Sequence, residues 1–163
     1  MIDPTPPSAL PALGIFAELN EALRCRLAAA GRFETLKPGT YIAVQGEPHV
    51  HLTFVISGHL DVYVRSQADT IKVASIGPGE TAGEMNLIDP KMASADVVVS
   101  HEPVHAFTIS DGDFEKLVRE DCAAGYVVLK ALAKELCRRL RQNSQALLRQ
   151  ADRVRTHFRD EDY

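Results

Sequence analysis

"HLTFVISGHLDVYVRS", residues 51–66, decides the fold. Two runs rich in apolar and β-branched residues flank Ser57-Gly58, a dipeptide suited to a tight turn. In the second run Leu60, Val62 and Val64 alternate with polar neighbours, which predicts a strand with one buried face. The same grammar continues outward. Upstream, "RFETLKPGTYIAVQGEP" (residues 32–48) alternates and turns at Pro38-Gly39 and again at Gly46. Downstream, "TIKVASIGPGET" (residues 70–81) gives another strand ending in a Gly-Pro-Gly turn. "ASADVVVSHEPVHAFTIS" (residues 93–110) supplies two more strands around Glu102-Pro103. Short strands with turn signals between them predict a mainly β chain folded as an antiparallel sandwich or jelly roll.

Helices flank this region. "NEALRCRLAAAG" (residues 20–31) can be capped by Asn20 and ended by Gly31, with Leu23 and Leu27 on one face. "SDGDFEKLV" (residues 110–118) opens with Ser110, and Asp113 three residues on approximates a capping box. From about Ala123 to Arg155 a long helix is expected, with no Pro and only Gly125 as a weak point. Some 30 residues at ~1.5 Å each make a rod near 45 Å. Leu132, Leu136, Leu140 and Leu147 mark an apolar stripe along it, with Asn143 on or near the seam. The stripe runs past where one small sheet could cover it, so a homodimer through this helix is expected.

Composition bounds the rest. The chain has 163 residues, 45% hydrophobic and 25% charged, as for one compact domain with a real core. No run approaches the roughly 18 apolar residues that cross a membrane. The start, "MIDPTPPSALPALG", carries Asp3 and four prolines. It is unlike a signal peptide, and the expected location is cytoplasmic. The domain reading is a flexible Pro-rich arm over residues 1–14, the β domain with its flanking helices over 15–122, the long helix over 123–156 and a tail over 157–163. Three cysteines, Cys25, Cys122 and Cys137, lack a paired metal-ligand spacing and are expected as buried, reduced thiols. The other reading is a disulfide between two copies of Cys137. Charge is uneven: residues 1–122 hold 9 Lys/Arg against 17 Asp/Glu, a net −8, while residues 123–156 hold 8 against 2, a net +6.

One stretch carries chemistry. "GEMNLIDPKMASADVVV", residues 83–99, opens with a Gly-Glu pair and a short apolar turn, then passes through a Pro loop to Ala93, Ser94 and Ala95. Backbone amides beside small residues make room for a phosphate. Such a site usually adds a strong cation, and the nearby candidate is Lys91.

At this point the chain resembles the cyclic-nucleotide-binding domains of catabolite-activator-type regulators, kinase regulatory subunits and gated channels. The resemblance covers roughly residues 15–148. It rests on four motifs in order: "LKPGTYIAVQGEP", "LTFVISGHLDVYV", "IGPGETAGEMNLID" and "FTISDGDFEKLV". It implies an eight-stranded jelly roll (a double-stranded β-helix) with N-terminal helices and C-terminal helices. It also implies a phosphate cassette in which a Glu takes the ribose 2′-hydroxyl and an Arg pairs with the cyclic phosphate. Gly83 and Glu84 match the Gly-Glu pair, with Met85 following. Ten residues after Gly83 the family usually has Arg, and here stands Ala93; Ser94 and Ala95 match the two small residues after it. The candidate ligand-binding set is therefore Gly83, Glu84, Met85, Ala93, Ser94 and Ala95, with Lys91 as a substitute cation.

Losing an Arg–phosphate contact at a partly desolvated site costs about 2–5 kcal/mol, as for truncating a buried charge pair. Each 1.4 kcal/mol is roughly tenfold in affinity. Lys91 lacks the guanidinium fork. Strand alternation places Asp96, just beyond, on the surface.

Other constellations point away from catalysis and metal. His49 and His51 form an H-x-H similar to the metal motif of cupins, but the Glu that motif needs is missing. Solvated or hairpin-edge histidines are the expectation, with no metal site and no resident cofactor. No nucleophile elbow, Walker loop or Ser/His or Cys/His local signature is present, so the expected class is not an enzyme. After Arg155 only "THFRDEDY" follows, too little for a helix-turn-helix, so specific DNA binding is not expected. The basic run "RRLRQ" (residues 138–142) reads as a solvated face of the dimer helix. Two functions remain. One is a stand-alone sensor module with weak or altered binding of a cyclic nucleotide such as cAMP or cGMP, signalling to a protein partner. The other is a degenerate domain that dimerises or docks to proteins and binds no nucleotide.

Overall fold

The computed structural model describes the backbone of residues 8–160 and the side chains of residues 8–149. A 3₁₀ turn at Gly14–Phe16 and helix α1 (Glu21–Ala30) precede eight strands: β1 (Arg32–Leu36), β2 (Tyr41–Ala43), β3 (His51–Ser57), β4 (Leu60–Arg65), β5 (Thr70–Ile76), β6 (Thr81–Ala82), β7 (Asp96–Val99) and β8 (Val104–Ser110). Helix α2 (Glu84–Ile88) lies between β6 and β7, and α3 (Asp111–Glu120) and α4 (Cys122–Asp160) follow β8. The strands form two four-stranded sheets, ordered β1-β8-β3-β6 and β2-β7-β4-β5, with every pairing antiparallel. This is the expected jelly roll.

Two apolar cores share the first sheet. Val55, Leu60, Val97, Val104 and Ala106 fill the inside of the roll. On the other face of the same sheet, Phe54, Phe107 and Ile109 pack against Leu23 and Leu27 of α1, Phe114 and Leu117 of α3, and Val128 and Leu132 of α4. Covered on both faces over most of their length, β3 and β8 bury consecutive residues, 52–55 and 106–109, with Thr53 and Thr108 among them. Strand β5 is an exposed edge and carries mixed residues.

The caps read at Asn20 and Ser110 form as expected, and Asp121 adds a third. Asn20 caps α1 by accepting from the Leu23 N–H at 2.9 Å, and Ser110 caps α3 by accepting from the Asp113 N–H at 3.1 Å. Asp121 caps α4 by accepting from the Ala124 N–H at 2.9 Å.

Several expectations change. Of the segment read as a free arm over 1–14, residues 1–7 lie outside the described residues, and residues 8–14 are seated. Leu10 is 1% exposed and its carbonyl accepts from the Arg24 Nε at 3.0 Å. Gly14 lies so close to the Gly79 carbonyl that a Cβ would stand 1.7 Å from its oxygen. Pro11 fixes one φ in this segment, but the buried Leu10 decides where the segment lies. Leu132, read as a dimer-helix residue, is fully buried in this chain's own core. Leu136 is half-buried, whereas Leu140 and Leu147 are about two-thirds exposed. One side of α4 therefore serves the domain over its first third and is uncovered at Leu140 and Leu147. The cysteines are free, but Cys122 and Cys137 are exposed rather than buried.

Candidate functional site

The site begins at a backbone requirement. Gly83 takes φ +89°, and a Cβ there would stand 2.1 Å from the His51 carbonyl oxygen, so glycine is the residue that fits. This left-handed step turns the chain from β6 into α2 and swings Glu84 inward. Glu84 is 5% exposed. The exit is held as firmly: Ala93 N–H donates to the Glu47 carbonyl at 2.8 Å and its own carbonyl accepts from Gly46 N–H at 2.9 Å. That double tie aims a methyl group at the interior, 7% exposed.

Between these segments and α4 lies a cavity of about 890 Å³. Gly83, Glu84, Met85, Ala93, Ser94 and Ala95 all line it, together with Val62 and Val64 from β4. Its other wall is α4: Leu136, Arg138, Arg139, Leu140, Asn143 and Leu147. Sequence reading missed this wall. It assigned the leucines and Asn143 to a dimer seam and the arginines to solvent.

The charges are tightly arranged. Arg139 donates from Nη1 to Glu84 Oε1 at 2.8 Å, from Nη2 to the Thr81 carbonyl at 2.7 Å and from Nε to Glu135 Oε1 at 2.9 Å. Arg138 donates from Nε to Glu135 Oε2 at 2.7 Å and from Nη2 to Glu80 Oε1 at 2.8 Å. Two guanidiniums thus sit among three carboxylates. Burial pushes the Glu84 carboxyl above its ordinary range, and the Arg139 charge opposes that rise. Glu135 goes the other way: its hydrogen bond from Arg138 holds it below the usual range. Glu84 Oε2 has no partner among the described residues.

Three residues stand elsewhere than expected. Lys91 does not line the cavity; it is largely exposed and pairs with Asp89 at 2.5 Å. The loop between α2 and Ala93 turns it outward. Asp96, expected on the surface, is 6% exposed, because strand β7 is covered on both sides. Its Oδ2 pairs with Arg65 Nε at 2.8 Å and its Oδ1 accepts from Gln45 N–H at 2.7 Å. His49, expected solvated or at a hairpin edge, is 9% exposed beside Gly83, with Nε2 unpartnered among the described residues, and burial lowers its pKa. The His49 and His51 rings lie 6.2 Å apart, and among the described residues no cluster of three or more His, Cys, Asp or Glu could hold a metal ion. No helix among them is long and apolar enough to cross a membrane.

The site can therefore accept a hydrogen bond from a hydroxyl at Glu84 Oε2, offer guanidinium donors from α4, and enclose an apolar group against Val62, Val64 and Leu136. Known proteins share this arrangement of chain. Residues 33–121 match the family model described as the cyclic nucleotide-binding domain. The Pycsar effector protein XpPycTIR of Xanthomonas perforans is 28% identical over 136 residues, which are 83% of this chain and 42% of that protein. The N-terminal domain of a transcriptional regulator from Streptomyces coelicolor is 27% identical with a TM-score of 0.66, over 82% of this chain and 90% of that one. A cyclic nucleotide-binding domain from Methylobacillus flagellatus, 22% identical, shares the fold with a TM-score of 0.76, over 83% of this chain and 76% of that one. The chain spans less than half the length of the curated relatives it matches.

Proposed function

The chain belongs to the cyclic nucleotide-binding domain family, and on that premise we propose that it is a non-enzymatic sensor module that takes a cyclic nucleotide such as cAMP or cGMP weakly or with altered selectivity. The observation that supports this is Glu84: a buried carboxylate with one oxygen unpartnered, lining a cavity of about 890 Å³. That size lies in the ordinary range for small-molecule sites, roughly 300–1,000 Å³. An unsatisfied buried acceptor costs about 1–3 kcal/mol, and a ligand hydroxyl would recover it. Gly83, Met85, Ser94 and Ala95 would form the walls around the sugar and phosphate. Ala93 supplies no guanidinium on the cassette side, which is the reason to expect weak binding. Occupancy would be passed through α4, whose wall residues face the ligand, to a second copy or to a protein partner in a signalling role.

The test is calorimetry of the protein against cAMP, cGMP and cyclic dinucleotides, repeated with Ala93→Arg. A wild type that binds weakly and an Ala93→Arg variant that binds at least tenfold tighter are the expected results. Silence in both refutes the sensor reading. A second reading, a docking module that binds no nucleotide, draws on one feature: Glu84 Oε1 is already taken by Arg139. Exposed Leu140, Leu147 and Leu148 on α4 would then be its contact surface, either in a homodimer or against another protein. Sedimentation at high micromolar concentration separates these: a monomer counts against the homodimer.

A further inference from the structure

We propose that the anion contact of this site is carried by α4, through Arg139, in place of the cassette position held by Ala93. This rests on the sensor reading and names how that site would hold a phosphate. The cations near the cassette are quickly sorted. Lys91 faces solvent on Asp89, and Arg65 is held by Asp96 behind β7. Among the described residues, the guanidiniums lining the cavity are Arg138 and Arg139.

Arg138 spends four N–H groups, two on Glu135 and one each on Gln142 and Glu80. Arg139 spends one on each nitrogen. A guanidinium has five donors, so one N–H on each terminal nitrogen of Arg139 is left, enough for a two-point contact.

Those donors sit beside Glu84, whose Oε2 is an open acceptor. An acceptor next to donors suits a ligand that offers a hydroxyl next to an anionic ester oxygen. A 3′,5′-cyclic nucleotide does so, since its 2′-hydroxyl neighbours the carbon that bears the phosphoester. The surrounding carboxylates set the charge limit. Glu80, Glu84 and Glu135 outnumber Arg138 and Arg139, so a doubly charged open monophosphate meets more repulsion here than a singly charged cyclic diester. The same arrangement couples binding to the helix: the anion contact exists only while α4 lies against the cassette.

Calorimetry with cAMP, cGMP and 5′-AMP tests this on the wild type, Arg139→Gln, Arg139→Lys, Ala93→Arg and the double variant Arg139→Gln/Ala93→Arg, each checked for folding by its thermal melt. The expected results are binding of a cyclic nucleotide by the wild type in preference to 5′-AMP, a loss of tenfold or more in Arg139→Gln, and recovery in the double variant. The wild type, Arg139→Gln, Ala93→Arg and the double variant form a cycle, which matters because Arg139 also holds Glu84. If Arg139 contacts the phosphate, Ala93→Arg gains more in the Arg139→Gln background than in the wild type, whereas an equal gain in both means that Arg139 acts only through Glu84 and overturns the inference. Equal or tighter binding by Arg139→Gln overturns it too. If Arg139→Gln does not fold, Arg139→Lys keeps the charge without the fork and is expected to bind severalfold more weakly, and unchanged affinity refutes the assignment. A silent wild type with binding gained in Ala93→Arg overturns this inference and leaves the sensor reading standing; silence in both removes the two together.

Discussion

Glu84→Gln and Arg139→Gln break the same ion pair, and the structure predicts very unequal costs. Glu84 is 5% exposed, and its surroundings disfavour the ionised form even with Arg139 at 2.8 Å. An amide in its place removes a desolvated charge, still accepts from Arg139, and leaves Arg139 bonded to Glu135 and the Thr81 carbonyl. Replacing one member of a buried pair by a neutral group that keeps the hydrogen bond costs under about 1 kcal/mol. Arg139→Gln is different, because it leaves Glu84 buried with both oxygens short of a donor. Stranding a buried charge costs about 3–5 kcal/mol; Arg139 is partly exposed and Glu84 can protonate, so about 2–4 kcal/mol is expected. The double variant then recovers part of that loss, with a coupling of about 1–3 kcal/mol.

Urea unfolding at pH 7, followed by circular dichroism, measures all three. A pH series adds a signed check. Because folding raises the Glu84 pKa, the native state binds a proton in a window where the unfolded chain does not. That window opens near the ordinary value of 4.5 and extends upward. Across it the contribution of Glu84 to stability falls as pH rises, while the buried His49 works in the opposite direction below 6.5; the signature of Glu84 is therefore the difference between the wild type and Glu84→Gln, which shrinks as pH rises through the window. Equal costs for the two single variants, or a Glu84→Gln variant that is the less stable one, would refute the reasoning.

Helix α4 allows a paired test of its two halves. Leu132→Ala, at a fully buried position, is expected to cost about 2–5 kcal/mol in urea unfolding. Leu140→Ala, at a position 67% exposed, is expected to stay within about 0.5 kcal/mol in a monomer; a larger loss that grows with protein concentration would place Leu140 in a dimer. Gly83→Ala meets both a left-handed backbone and the His51 carbonyl, and is expected to lose about 2 kcal/mol or more together with any ligand binding, read by melting and calorimetry.

Much of the fold was legible because its signals are local. The caps at Asn20 and Ser110 need only a side chain and an amide three residues on. Strands β3 and β8 show as short β-branched and aromatic segments between turn signals. The stretch that lines the cavity was legible as a spacing, from Gly83-Glu84 to Ala93-Ser94-Ala95, and the resemblance to a family supplied the expectation of an Arg where Ala93 stands. Residues that depend on what crosses over them could not be placed that way. Asp96 alternates as a surface residue should, yet Arg65 and Gln45 bury it from another strand and a loop. His49 looks like a loop histidine until β6 and Gly83 close over it.

Helix α4 marks the division most clearly. Its length is read from the absence of proline, its basic character from composition and its leucine stripe from a 3.6-residue period, and that much the chain states by itself. Whether a given turn of the stripe meets its own core, a ligand cavity or solvent depends on the direction in which the helix leaves α3. Only the tertiary structure sets that direction. It places Leu132 in the core and brings Arg139 across 55 residues of chain to Glu84, because charge pairing at 2.8 Å is decided by where two elements cross and not by any pattern within either one.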